Sequence, residues 1–200
     1  MATADHDHDD SVPVGTRALV VTVSDGVAAG ARQDDSGAAL ADRLTQLGFA
    51  VDRTSVADER VQIGAALTSG VVDHALVITT GGTGLTPRDV TPQATLAVLD
   101  YEVPGLAEAV RAFGRGKTPM ADLSRGIVGV RDRALIVNVP GSPRAALECL
   151  EALEPTLRHA LETLGGPFDH GLAGAGTPAR PDLPDPSLGS EAPPHGDPSA

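Results

Sequence analysis

A three-layer α/β/α domain with a mostly parallel sheet and one antiparallel strand is the fold this sequence predicts, on three observations. Short apolar, β-branched runs recur between residues 14 and 165, as expected of strands buried on both faces. Stretches with apolar residues at helical spacing separate them, and such alternation implies parallel strands covered by helices. Late in the domain two strand-like runs stand only three residues apart. That spacing fits a hairpin, which sets one strand against the rest.

The elements follow in order. RALVVTVS (17–24) reads as the first strand, and DSGAALADRLTQLG (35–48) as a helix ended by a glycine, a common residue just past a helix terminus. FAVDRTSV (49–56) is a second strand and DERVQIGAALTSG (58–70) a second helix, again ending in glycine. HALVITT (74–80) is a third strand. Thr91 then reads as an N-cap with Pro92 at the first helical position, opening a helix to about Leu99. GLAEAVRAFG after Pro104 is helical, and GIVGV and ALIVNV flank Arg131, Asp132 and Arg133 as a hairpin. SPRAALECLEALEPTLRHALETLG (142–165) closes the domain as a helix, with Pro155 placed to bend or break it.

Composition limits what such a domain can do. Apolar residues make up 41% but aromatics only 2%, so the core must be built from Val, Leu, Ile and Ala. The net charge of −12 is concentrated outside the domain: residues 1–10 hold four Asp and no Lys or Arg, and residues 166–200 hold five acids against one Arg. Residues 166–200 also carry eight of the sixteen prolines. Such a segment cannot bury enough surface to offset its ordering entropy. Residues 1–13 and 166–200 are therefore expected to be disordered tails. HDHDD near the start could chelate a metal weakly, although a solvated tail is the simpler reading. One cysteine, Cys149, allows no internal disulfide and reads as a small core residue. His74 and His159 lack spaced partners for a metal. The acidic start is no signal peptide and no run is long enough to span a bilayer, which predicts a cytoplasmic protein without membrane contact. The chain offers neither a basic patch nor aromatic stacking platforms, which argues against nucleic acid as a partner.

In open α/β sheets ligands bind outside the carboxyl ends of the strands, so the turns there are where chemistry is expected. They read Ser24-Asp25-Gly26, Ala57-Asp58-Glu59, GGTGLTPRD (81–89) and Pro140-Gly141-Ser142-Pro143. Gly81, Gly82 and Gly84, with Thr83 between them, can offer backbone N–H groups as an anion nest. The turn through Gly141, Ser142 and Pro143 leads into a helix N-terminus, which also favours anions. Neither a Walker lysine loop nor a GxGxxG fingerprint is present. Asp25, Asp58 and Asp89 fall on the same edge, and carboxylates beside phosphate cradles call for a cation between them. Mg²⁺ suits this, because it takes one or two carboxylates plus substrate phosphates, and it would support phosphoryl or nucleotidyl transfer. Plainer roles stand beside these. Asp58 could cap its helix and Asp25 a turn, Ser24 and Ser142 could be turn or cap residues, and Arg88 could pair with a neighbouring acid.

VSDG…DDSG, TTGGTGLTPRDVTPQAT, VPGLAEAVR, LSRGIVGV and LIVNVPGSPRA together resemble the MogA/MoaB family of molybdenum-cofactor biosynthesis proteins, over about residues 17–165. That family includes the equivalent domains of plant Cnx and animal gephyrin. The resemblance implies a molybdopterin-binding fold, a homotrimer, contact with other cofactor-biosynthesis proteins, and adenylylation of molybdopterin by Mg·ATP with release of pyrophosphate. It implies essential, metal-holding roles for Asp58 and Asp89, a nucleotide cradle at 81–84, and ligand contacts at Ser124 and the 141–143 turn. Gly26 departs from the pattern, standing where the family often has Arg; Arg32 or Arg88 could substitute. Gln93 replaces an acid, a change expected to be neutral. A non-catalytic molybdopterin carrier or scaffold is the alternative, and a hydrolase of nucleotide-like pyrophosphates a third possibility.

Overall fold

The computed structural model describes residue 12 and residues 15–166. Apart from Val12 and Gly166, the two expected tails lie outside the described residues. Six strands form one sheet: β1 (Arg17–Val23), β2 (Ala50–Val56), β3 (Leu76–Thr80), β4 (Tyr101–Glu102), β5 (Val128–Arg131) and β6 (Ala134–Val139). Their order across the sheet is β2-β1-β3-β6-β5-β4. β2, β1, β3 and β6 are parallel neighbours, and β5 runs antiparallel to both β6 and β4. A single strand direction is thus reversed, as the hairpin predicts. In that hairpin Arg131 pairs with Ala134, and Asp132 takes the left-handed conformation at φ 53°, which Asp tolerates at such a turn.

The helices are α1 (Asp25–Ala28), α2 (Asp35–Gln46), α3 (Arg60–Asp73), α4 (Thr91–Leu96), α5 (Pro104–Arg115) and α6 (Pro143–Gly165), with a 3₁₀ turn at Pro119–Leu123. Period-two alternation along the strands builds two cores. Ala18, Val20, Leu76, Ile78, Leu135 and Val137 pack with Leu40 and Leu44 of α2 and Leu150, Leu153 and Leu157 of α6. Leu19, Val21, Val77 and Ile136 face the other way, onto Ile63 and Leu67 of α3 and Ala94 of α4. The expected three layers follow directly.

Local chemistry sets the helix ends. Asp34 caps α2 by accepting from the Gly37 N–H at 2.9 Å, and Gly48, at φ 95°, ends the helical course. α3 runs past Gly70, where the sequence predicts a stop. A methyl group at Gly70 would stand 2.7 Å from Leu19 Cδ2, so this glycine serves close packing of helix on sheet instead. α6 is continuous through Pro155. The buried stripe of Ala146, Leu150, Leu153, Leu157 and Leu161 continues on both sides of the proline, and only one backbone donor is lost. No helix among the described residues is long and apolar enough to cross a membrane.

Candidate active site

The connection leaving β1 leads to β2 on one side of the sheet, whereas β3 connects onward to the other side. The carboxyl ends of β1 and β3 therefore flank a topological switch point, where α/β sheets open a crevice. A cleft of ≈ 500 Å³ lies there, lined by Ser24, Arg32, Asp58, Gly81, Gly82, Thr83, Gly84, Asp89, Ser124 and Gly141, with Val23, Met120, Leu123 and Pro140 as its apolar walls. Nine of the residues singled out from the sequence are thus brought together. Asp25 and Ser142 are not among the lining residues, and Pro143 lines an adjoining pocket of ≈ 180 Å³ instead.

The loop at 81–84 is shaped by what its carbonyl oxygens do. The Thr91 hydroxyl donates to Gly81 O at 2.9 Å, and the Thr91 N–H to Gly82 O at 3.1 Å. Thr91 therefore ties the loop down rather than capping α4, whose N-cap is Val90. The Arg125 N–H donates to Thr83 O at 3.0 Å, and Nε of the same residue to Gly84 O at 2.7 Å. Its guanidinium also donates to the carbonyl of Asp89. These carbonyls are held by protein donors, and the loop itself lines the cleft. Gly81 N–H extends the sheet ladder to Val139 O at 3.1 Å. Among the described residues, the N–H groups of Gly82 and Thr83 are given to no acceptor. Two adjacent amides without an internal acceptor thus belong to residues that line the cleft. Gly81 sits at φ 105° and Gly82 at φ 65°, and a methyl group at Gly81 would stand 2.3 Å from the Val23 carbonyl oxygen.

Two carboxylates stand beside this loop. A methyl group at Gly82 would lie 3.4 Å from Asp58 Oδ1, and one at Gly84 would lie 3.1 Å from Asp89 Oδ2. Asp58 does not cap α3. Its Oδ2 accepts from the Asp25 N–H at 2.9 Å while Asp25 Oδ1 accepts from the Asp58 N–H at 3.0 Å. This reciprocal clasp follows from the register of β1 and β2, which pairs Val23 with Val56. Arg88 completes it, donating to both Asp25 oxygens at 2.7 and 2.8 Å and to Glu59 Oε1 at 2.9 Å. Arg88 is therefore committed to acids, as one of the two sequence readings has it. Asp89 Oδ2 accepts from the Thr86 N–H at 2.8 Å. Burial alone would raise the Asp89 pKa, but hydrogen bonds from Thr86 and Gly84 and the nearby Arg125 charge outweigh it and hold the group below the ordinary carboxylate range. Among the described residues no three His, Cys, Asp or Glu side chains group as a metal-ligand cluster. Cys149 lies apart from this cleft, and burial pushes its thiol up to about 12. That makes it inert as a nucleophile.

Several carboxylates share the Asp89 behaviour, which fixes an acid limit for the fold. Asp25 is lowered chiefly by its hydrogen bond to Arg88, and Asp52 chiefly by His74 and then Arg17. Asp34 is penalised by burial but lowered overall by Arg53, the Gly37 N–H and Thr22. A folded pKa below the unfolded one adds stability that is complete above the unfolded value and lost as pH falls through the folded value. With unfolded aspartates at about 3.9, the melting temperature should stay level from about pH 7 to pH 5 and fall below about pH 4. Thermal melts across that range check this; a steep loss between pH 7 and 5 would contradict it.

Sequence reasoning missed Arg125, Met120 and Leu123. Met120 and Leu123 line the cleft and Arg125 braces the 81–84 loop, all from the segment after α5, which carries no glycine-turn signal of its own. Ser124 was reached only through family resemblance.

A parallel sheet opening at its switch point onto a glycine loop and two carboxylates defines an α/β domain with a polar cleft at its strand ends. Known proteins narrow that class. A family model described as a probable molybdopterin binding domain matches residues 19–159. The chain belongs to the MogA/MoaB family of molybdenum-cofactor biosynthesis proteins. It is 36% identical over 156 residues to the molybdopterin adenylyltransferase of Helicobacter pylori J99, covering 74% of this chain and 88% of that one. It is 42% identical over 159 residues to the molybdenum cofactor biosynthesis bifunctional protein of Synechococcus elongatus, covering 78% of this chain but only 50% of that protein. The solved molybdopterin biosynthesis Mog protein of Mycobacterium ulcerans superposes with a TM-score of 0.71 at 41% identity, covering 75% of this chain and 99% of that one.

Proposed function

We propose that this chain transfers the adenylyl group of ATP to molybdopterin and releases pyrophosphate. The observation that carries this reading is the pair of amides at Gly82 and Thr83 set between Asp58 and Asp89 on one cleft. The names of the bacterial relatives support the choice of substrates. In the reaction an acceptor oxygen of molybdopterin bonds to the α-phosphorus of ATP. The bond from that phosphorus to the bridging oxygen breaks, and its electron pair leaves with pyrophosphate. Such transfers depend on positioning and charge stabilisation rather than on a protein nucleophile, and among the described residues no Cys, His or Tyr lines the cleft. The two amides would receive phosphate oxygens, Ser24, Ser124 and Gly141 would border the ligand, and Met120 and Leu123 would shield it from water. Two carboxylates fit Mg²⁺, which takes one or two of them together with substrate phosphates. Asp58 and Asp89 would hold it, and when bound it supplies positive charge against the phosphates.

Purified chain mixed with molybdopterin and Mg·ATP should release pyrophosphate, and EDTA should stop it. Tight molybdopterin binding without ATP consumption would indicate a carrier instead, and ATP cleavage without molybdopterin a hydrolase. The same reading places the protein in the cytoplasm as a homotrimer, alongside other enzymes of cofactor synthesis. Sedimentation equilibrium should then give three times the chain mass of 20.3 kDa; a monomer mass would remove the trimer.

A further inference from the structure

We infer that Arg32 is the residue that grips the pyrophosphate portion of the nucleotide and lets the cleft tell a polyphosphate from a monophosphate. This rests on the nucleotidyl-transfer reading above for its ligand class. The cations around the cleft are not equivalent. Arg88 is spent on Asp25 and Glu59, Arg125 on the carbonyls of Gly84 and Asp89, and Arg111 on the carbonyl of Gly126 at 3.1 Å. Arg32 donates to a hydroxyl, Ser24 Oγ, at 3.1 Å, a neutral partner like those of Arg125 and Arg111, and differs from them in lining the cleft. Its charge is therefore not matched by that partner. It is also the one basic side chain among the described residues lining the cleft, and again among those lining the adjoining pocket.

Position sharpens the role. Arg32 and Gly141 are the two residues shared by the ≈ 500 Å³ cleft and the ≈ 180 Å³ pocket, so the guanidinium stands at the seam between them. The smaller space falls short of the few hundred Å³ a ring-bearing ligand needs and suits a compact ionic group. Its other polar walls are Gln33, Asp34, Asp35 and Ser36. Asp34 is already matched by Arg53 at 2.6 Å. A planar guanidinium can hold two phosphate oxygens at once; AMP carries such oxygens too, so the discrimination is one of reach, the phosphates beyond the α-phosphate extending from the 81–84 loop to the seam where Arg32 stands.

Calorimetric titration of the full chain with inorganic pyrophosphate, ATP and AMP, at fixed Mg²⁺ and low salt, tests the assignment. Arg32→Ala should weaken pyrophosphate and ATP by about 10- to 100-fold, as for loss of a charged hydrogen-bond donor, while AMP binding stays close to wild type. Arg32→Lys should recover part of the loss, since it keeps the charge without the fork. Thermal melts of both variants should match wild type, as befits an exposed side chain. The proposal is overturned if Arg32→Ala binds pyrophosphate as wild type does, if AMP weakens equally, or if the wild-type chain binds no pyrophosphate. These titrations use neither molybdopterin nor turnover, so their failure is separable from failure of the adenylyl-transfer assay.

Discussion

Replacing Asp89 with Asn should lower adenylyl transfer by about 10²- to 10³-fold, the scale seen when one electrostatic group is removed from a preorganised site. The substitution is close to isosteric, and an amide oxygen can still accept the Thr86 N–H that Asp89 Oδ2 now accepts at 2.8 Å. The loop should therefore keep its shape and lose only charge. At neutral pH the wild-type group is ionised, since its pKa lies below the ordinary range. Asp58→Asn should act alike, because an amide oxygen can still receive the Asp25 N–H. Asp58→Asn should melt as wild type and Asp89→Asn slightly below it, for loss of the charge its neighbours favour, while in both the Mg²⁺ concentration needed for half-maximal rate rises. Near-normal rates in both, with unchanged Mg²⁺ dependence, would remove the two carboxylates from the chemistry.

Gly81→Ala should damage the loop itself. The residue combines φ 105° with a methyl position only 2.3 Å from the Val23 carbonyl oxygen. That contact is backbone, so no rotamer relieves it. Strain at such a position costs on the order of 1–3 kcal/mol, and displacing the end of β1 adds to it. For a domain of this size that corresponds to a fall in melting temperature of roughly 3–10 °C. Nucleotide binding should drop with it, since Gly81 carries the Thr91 tie and the Val139 ladder bond that hold the loop in place. Differential scanning calorimetry and ATP titration check both effects. A variant with wild-type melting and binding would mean that the loop's conformation is not what the cleft depends on.

Much of this was legible in the sequence because the signals are local. The buried parallel strands announce themselves as β-branched runs, and the rule that ligands gather at their carboxyl ends selects Ser24, Asp58, 81–84, Asp89 and Gly141 without tertiary information. What escaped depends on contacts between distant segments. β4 has two residues and no pattern to read; it exists because β5 offers it an edge. Gly70 looks like a helix terminator, yet it sits within α3 so that Leu19 can approach. Thr91 looks like a cap, but its hydroxyl is drawn to Gly81. Arg125 organises the loop from 41 residues away, and the Asp25–Asp58 clasp spans 33, so neither could be inferred from spacing alone. Arg88 and Arg32 are both arginines near the cleft in sequence, and only the structure separates the one bound to carboxylates from the one bound to a hydroxyl.

The most direct test of the account uses ATP labelled at the α-phosphate, incubated with excess chain and authentic molybdopterin in a single turnover. Label should move into a molybdopterin–AMP product, one equivalent for each pyrophosphate released, and Asp89→Asn should prevent the movement. Label that stays in ATP while molybdopterin is bound, or that appears as free AMP, would contradict adenylyl transfer by this cleft.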